Sequence, residues 1–287
     1  MTVDKDKTIY LIYRDPLLHT SLARSEYEFI YSEVENSRSF KGKTTYLGNS
    51  NVVDVAIRDL QLVLNFQKSK LYELSYLKDC RLLRDPSVHN LPLSLSNAFK
   101  KLNRKMKAKK LFVRTGRQSE IMSLLSLMEP ETLENIEFLA MDEEMEIEIN
   151  EIVKTEQWKR AKKLYCDFHA LNLNVEDVSH FSKINMRVLS ISARDLDCLR
   201  ETFVNSSNSE LFWFKVRKFK ERLKLSNYWG PAFNNLSESC WYFRMKNSNE
   251  NILQIGIRKH RRTDIFFKIV QMEDVPTKAI VQSYQEH

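Results

Sequence analysis

Groups suited to gripping an acidic surface are concentrated in two stretches of this sequence. Between positions 100 and 110 stand Lys100, Lys101, Arg104, Lys105, Lys107, Lys109 and Lys110. Such a run can neutralise phosphates, releasing their counterions, or meet an acidic protein. It can equally be a solvated helix face running into an edge strand, where lysines discourage edge-to-edge pairing. Downstream, Phe212, Trp213 and Phe214 precede Lys215, Arg217, Lys218, Phe219, Lys220, Arg222, Lys224, Tyr228 and Trp229. Bases interleaved with aromatics suit stacking plus phosphate contact on a single strand. They also suit a protein interface, which favours aromatics and arginine at its centre. A core strand followed by an exposed basic helix gives the same pattern. Lys100, Lys101, Arg104, Lys105, Lys107, Arg217, Lys218, Tyr228 and Trp229 are the candidate partner-binding residues.

Other reactive groups form no constellation. Asp142, Glu143, Glu144, Glu146, Glu148 and Glu151 are acidic together, and their position ahead of a helical pattern reads as a solvated N-terminal cap. Cys166 and His169 are three apart, which on a strand points them to opposite faces. His19, His89, His180, His260 and His287 are scattered, as are Cys80, Cys198 and Cys240. The cysteines read as reduced, packed thiols, and the sequons at Asn205 and Asn235 as chance matches. The glycines Gly42, Gly48, Gly116, Gly230 and Gly256 stand alone, without the clustering that a phosphate-cradling loop requires. No GxSxG, HExxH or EF-hand pattern occurs. The expectation is a non-enzymatic chain with no catalytic residue, metal site or cofactor.

The elements that would position these groups alternate along the chain. Val53, Ala56, Ile57, Leu60 and Leu64 mark a helix face, Leu71 to Leu77 a strand, and Leu91-Pro92 a turn. Lys110 to Val113 reads as a strand, Ile121 to Met128 as a helix stopped by Pro130, and Leu133 to Leu139 as a strand. Then come a helix over Ile149 to Lys163, a strand over Leu164 to Phe168 and a short helix over Val175 to Phe181. A strand over Met186 to Ser192 leads to a helix opened by a Ser192–Asp195 capping box, and Glu210 to Val216 is the next strand. Strand starts about 22 to 31 residues apart fall in the period range of strand–helix solenoids such as leucine-rich repeats. Trp241 to Met245, Ile252 to Ile257 and Ile265 to Val270 read as short closing strands, with a loose tail after Gln271.

The expected fold class is thus α/β, an irregular strand–helix repeat body resembling a leucine-rich-repeat solenoid. The chain has 287 residues, 43% of them hydrophobic and 29% charged, with net charge +7. It contains no apolar run long enough for a membrane helix and opens without a secretory pattern. The expected compartment is cytoplasmic or nuclear.

Four blocks carry a family resemblance: EPETLENIEF from Glu129, EIVKTEQWKRAKKL from Glu151, the stretch Val175 to Asn208, and WYFRMKNSNENILQI from Trp241. Over about residues 120–270 the chain resembles the FTH domain, a nematode domain of unknown function usually found behind an F-box in the F-box A group. Residues 1–119 then form an N-terminal strand–helix region continuous with the body, and 271–287 a tail. The resemblance implies a body that binds other proteins and, in the full architecture, presents a target for ubiquitylation while an F-box docks on a Skp1-type adaptor. An F-box would bring a Leu-Pro start and amphipathic helices, whereas Met1 to Gln67 opens with body-like strands at Ile9 to Tyr13 and Glu26 to Val34. The expected function is therefore target binding, as part of an F-box-type ligase adaptor or an F-box-less relative. A Skp1-type adaptor is a partner only if an F-box lies upstream. The alternative is a basic RNA- or DNA-binding protein.

Overall fold

The computed structural model describes residues 1–3, 8–14, 26–65, 69–79, 91–235, 237–246, 248, 250–259 and 261–283. Cys80, His19, His89, His260 and His287 lie outside the described residues. The fold is mixed α/β, with many strands and, among the described residues, six α-helices. The chain divides into two compact units, Met1–Glu143 with Thr155–Arg160, and Glu144–Lys154 with Ala161–His287.

The first unit contains β1 (Thr2–Val3), β2 (Thr8–Arg14), β3 (Glu26–Ser32), β4 (Ser37–Phe40), β5 (Lys43–Tyr46), β6 (Leu71–Lys78), β7 (Ala108–Thr115) and β8 (Asn135–Ala140). Its helices are α1 (Val52–Asn65), α2 (Leu91–Lys101), α3 (Gln118–Leu127) and the short α4 (Glu156–Arg160). Strands β2 to β5 form an antiparallel meander. Lys41 and Gly42 join β4 to β5 with both φ angles positive, as a two-residue hairpin with matching twist requires. Strand β1 pairs antiparallel with β2 and parallel with β6, so it couples the meander to the parallel run β6–β7–β8.

The buried side chains of β6, β7 and β8 alternate along the strands: Tyr76, Leu111, Val113, Ile136 and Phe138 are turned inward. An ion pair lies in the same interior. Lys78 Nζ sits 3.0 Å from Glu120 Oε1, and their side chains are 2% and 3% exposed. The Thr115 hydroxyl donates to the other oxygen of Glu120. Burial and the neighbouring Glu120 charge push the Tyr76 phenol far above its ordinary range. This pair ties the end of β6 to the first turn of α3.

Several expectations are corrected here. Leu91 and Pro92 are no turn but the buried start of α2, where proline's missing N–H costs nothing. That helix ends in a Schellman arrangement: Asn103 is left-handed (φ 46°), its N–H donates to Lys100 O, and Arg104 N–H reaches Phe99 O. Strand β7 is interior, between β6 and β8, so its lysines guard no edge. Lys110 instead bridges Glu73 at 3.0 Å and Glu137 at 2.9 Å on the two flanking strands. Its burial disfavours the charge, but the two carboxylate hydrogen bonds outweigh that and raise its pKa. The helix expected over Ile149 to Lys163 is only α4. Ile149 and Ile152 are buried in turns, and Thr155 stands at the start of α4, its carbonyl accepting from Lys159 N–H.

The second unit holds β9 (Glu146–Ile147), β10 (Lys163–Ala170), β11 (Lys183–Ser190), β12 (Leu211–Lys218), β13 (Phe233–Asn234), β14 (Glu238–Arg244), β15 (Asn251–Lys259), β16 (Thr263–Gln271) and β17 (Val281–Gln282). Strands β9 to β12 are parallel neighbours in order. Then β12 pairs antiparallel with β16, β16 with β15 and β15 with β14. Helices α5 (Ala193–Asn205) and α6 (Arg222–Trp229) cover one face. Phe203 of α5 packs against Phe212 and Phe267, and Trp229 of α6 against Trp241 and Phe243. The capping box opens α5 as the sequence implies, with Asp195 N–H donating to Ser192 Oγ at 3.1 Å. The segment after Gln271 is no loose tail: Val275, Ala279 and Val281 pack on buried Cys240, Tyr242 and Ile252, and β17 pairs with β14.

Removing one member of a buried pair strands the other charge. Glu120→Leu is expected to cost about 3–5 kcal/mol, and Lys78→Met with Glu120→Leu to recover most of that loss. Urea unfolding of the two variants checks it. A double variant as unstable as the single one would show that the pair is not the source of the loss.

Candidate interaction surfaces

On the parallel strands of the second unit, alternate residues divide between two faces. Ile184, Met186 and Val188, with Phe212, Phe214 and Val216, are buried beneath the helices. Their neighbours in sequence stand on the opposite face, and strand register aligns them in transverse rows. Lys163, Lys183, Leu211 and Lys268 form the first row. Tyr165, Asn185, Trp213 and Phe266 form the second. His169, Arg187, Lys215 and Asp264 form the third. An aromatic and amide row therefore lies between two rows rich in cations.

The middle row is locked from below. A Cβ added to Gly256, on the adjacent β15, would lie 2.0 Å from Phe266 Cζ, so only glycine lets the ring lie flat there. Trp213 leans on Phe266 at 5.8 Å between centroids, and Arg258 and Lys268 stand over the same ring at 5.9 and 5.7 Å. Some of the surrounding charge is matched internally: Arg187 pairs with Asp167 at 2.7 Å, Arg258 with Glu238 at 3.0 Å, and Lys163 with Glu210 at 3.2 Å. Lys183, Lys215 and Lys268 have no ion pair among the described residues, and Lys183 and Lys268 are exposed.

The acidic stretch corrects another expectation. It caps no helix but lies along β10, where His169 N–H donates to Met145 O and Leu171 N–H to Ile147 O. Its Glu144 and Glu146 take both ends of the Arg217 guanidinium at 2.8 and 2.6 Å, and Arg262 also binds Glu144. Arg217, a candidate for partner binding, is thereby occupied within the chain. Beneath this cluster His169 is fully buried, with neither ring nitrogen at hydrogen-bond geometry to a partner. Burial, then the Arg217 and Arg262 charges, hold its pKa below the usual histidine value, although the backbone of Val188 slightly favours the proton.

The remaining candidates divide by burial. Lys100, Lys101, Lys105 and Lys107 are exposed in the first unit, the first two in the last turn of α2 where cations suit the helix dipole. Arg104 is half-buried and donates to the carbonyl of Leu64 and to Asn65, so it closes the end of α1. In the second unit Lys218 and Tyr228 are exposed. Trp229 is corrected: it is 3% exposed, its indole N–H bound to Asp197 at 2.7 Å, and it belongs to the core. Lys183, Trp213, Lys215, Phe266 and Lys268 were not selected from sequence as one surface. Their signal is the non-core half of three alternating strands, which becomes a surface only once the register is known.

Neither buried thiol is an activated nucleophile. Burial pushes Cys166 up to about 12 and raises Cys240 as well, which keeps both protonated. Cys166 aligns with core-facing Met186 and His169 with Arg187, so they lie on opposite faces as expected, by way of a bulge. No group of three or more His, Cys, Asp or Glu among the described residues could hold a metal ion.

A histidine kept neutral in the folded chain, but free to protonate when unfolded, makes stability depend on pH. Stability should fall as pH drops below the ordinary histidine value of 6.5, by at most about 1.4 kcal/mol per pH unit. It should level off once the folded-state pKa is passed. Thermal unfolding of His169→Leu between pH 7 and 5.5 should show a shallower decline than the unsubstituted chain. Equal slopes would assign the pH response to other groups.

No curated protein and no solved structure matches this chain. A family model does: the FTH domain model matches residues 91–226. That span begins at the first residue of α2 and ends within α6, taking in β10, β11 and β12 but not β16. Residues 91–226, just under half of the chain, are thus those of an FTH domain.

Proposed function

We propose that this chain is a non-enzymatic protein-interaction module whose binding surface is the open sheet face of its second unit. The observation that carries this is the face itself. Parallel strands are ordinarily buried on both sides, yet here the side opposite α5 and α6 presents Lys183, Lys215 and Lys268 around Trp213. A polar face with aromatic and basic groups fits a protein interface better than a second core. The parallel order β10–β11–β12, with its helices on one side, also favours a strand–helix repeat body of the leucine-rich-repeat kind, closed by the antiparallel strands β16, β15 and β14. In such bodies the sheet face is where partners bind.

Within this reading the chain is the target-binding body of an F-box-type ubiquitin-ligase adaptor, or a relative that works without an F-box, in the cytoplasm or nucleus. No cofactor takes part. A nucleic-acid-binding reading rests on a separate observation, the exposed Lys100, Lys101, Lys105 and Lys107 of the first unit.

Affinity capture of the tagged chain after nuclease treatment, read by mass spectrometry, tests these readings. A discrete protein partner should be retained by the wild type and lost when Lys183, Lys215 and Lys268 are all changed to Glu. Co-purification of an adaptor and a cullin would place the chain in a ligase. Capture unchanged by the triple variant would sink the assignment to this face. Binding to nucleic acid that falls steeply with salt, and with Lys105→Glu and Lys107→Glu, would favour the alternative.

A further inference from the structure

We propose that the partner presents an extended acidic segment, with Asp or Glu flanking an apolar residue at alternate positions, seated over the three rows of the open face. This rests on the reading of that face as the binding surface and adds the chemistry of what it takes.

Spacing is the first reason. Lys183, Asn185 and Arg187 follow one another on the same side of β11, so successive rows are separated by about 6.6 Å, twice the rise per strand residue. Alternate side chains of any extended peptide have the same separation. A segment lying along the strand direction can therefore place one side chain over each row. The outer two would meet Lys183 and Lys268 in the first row and Lys215 in the third, while the middle one would meet Trp213 beside Phe266.

Charge is the second reason. Lys183, Lys215 and Lys268 lack carboxylate partners among the described residues, and Asp264, opposite Lys215 in the register, closes no ion pair with it. The first row thus holds two unpaired cations, Lys183 and Lys268, and Lys215 adds one in the third row beside Asp264, so carboxylates over the first row are the complementary groups. Strand addition is not available here, because β11 and β12 are each hydrogen-bonded on both sides. Recognition must come from side chains, with the Asn185 amide able to meet the peptide backbone.

The aromatic row disfavours the other polyanion. Base stacking needs open ring faces. Phe266 is 4% exposed beneath Arg258 and Lys268, and Trp213 leans against it. The row offers an apolar floor rather than a stacking platform.

The test is fluorescence anisotropy with the whole chain and three labelled probes: a peptide containing Glu-Thr-Leu-Thr-Glu, the same peptide with Gln for Glu, and an oligouridylate. The acidic peptide should bind about tenfold or more tightly than its Gln counterpart, a difference of about 1.4 kcal/mol, and weaken with salt. Lys183→Glu with Lys215→Glu should remove that preference. The variant Lys268→Ser, at an exposed position where only the cation over Phe266 is removed, should reduce it and guards against misfolding of the double variant. Equal binding of the two peptides, an acidic preference untouched by these substitutions, or tighter binding of the oligouridylate would each overturn the proposal. If captured partners still depend on the face while the acidic peptide shows no preference, this inference fails and the functional reading stands. If capture ignores the face, the functional reading itself fails.

Discussion

A parallel strand has two faces, and the helices returning from it can cover only the side on which they cross. In the second unit α5 and α6 lie over Phe212, Phe243, Trp241 and Phe267, so the other face of β10, β11 and β12 must be stable by different means. Leaving it apolar would expose a sheet-sized patch to aggregation. The chain instead fills it with residues that tolerate water and one another: an Arg187–Asp167 pair, a Trp213–Phe266 contact roofed by cations, and the Arg217 fork on Glu144 and Glu146. One-sided covering by helices is thus the constraint that gives this face its polar, cation-rich character.

The far end of the same face is treated differently. Cys240 and Tyr242 of β14 and Ile252 of β15 align with Gly256, Gln254 and Val270, and so stand on the face that carries the rows. There Val275, Ala279 and Val281 fold over them and bury the strands on both sides. The open area is thereby confined to β10, β11, β12 and β16. The antiparallel strands act as a stop: β16 turns the ladder direction, β15 and β14 continue it, and the C-terminal segment closes what would otherwise be an apolar end.

Much of the strand–helix order was legible because burial imposes a period. The alternation in Lys183 to Ser190 and Leu211 to Lys218, and the helical spacing of Val53 to Leu64, survive in the structure with shifts of a few residues at their ends. Local capping was legible too, since Ser192 and Asp195 need only each other. What sequence concealed depended on partners distant in the chain. Glu144 and Glu146 resemble a solvated helix cap until Arg217 and Arg262 arrive from β12 and the β15–β16 turn. Trp229 looks like an interface aromatic until Asp197 and Trp241 enclose it. Lys110 looks like an edge guard until strands on both sides supply Glu73 and Glu137.

The same distinction separates the densest basic run from the proposed surface. A cation's capacity to hold a partner depends on what its own fold has already placed beside it, not on its neighbours in sequence. Arg104 is engaged at the end of α1, and Lys109 and Lys110 face carboxylates across the sheet. Lys183, Lys215 and Lys268 are separated by tens of residues and form no run, yet register places them around one aromatic contact, without an ion pair among the described residues. Preorganisation also differs. The backbones of three hydrogen-bonded strands fix the spacing between their side chains before a partner arrives, although an exposed lysine on either surface loses rotamer freedom when it binds. A weaker local charge density on a rigid face can therefore give the more selective surface.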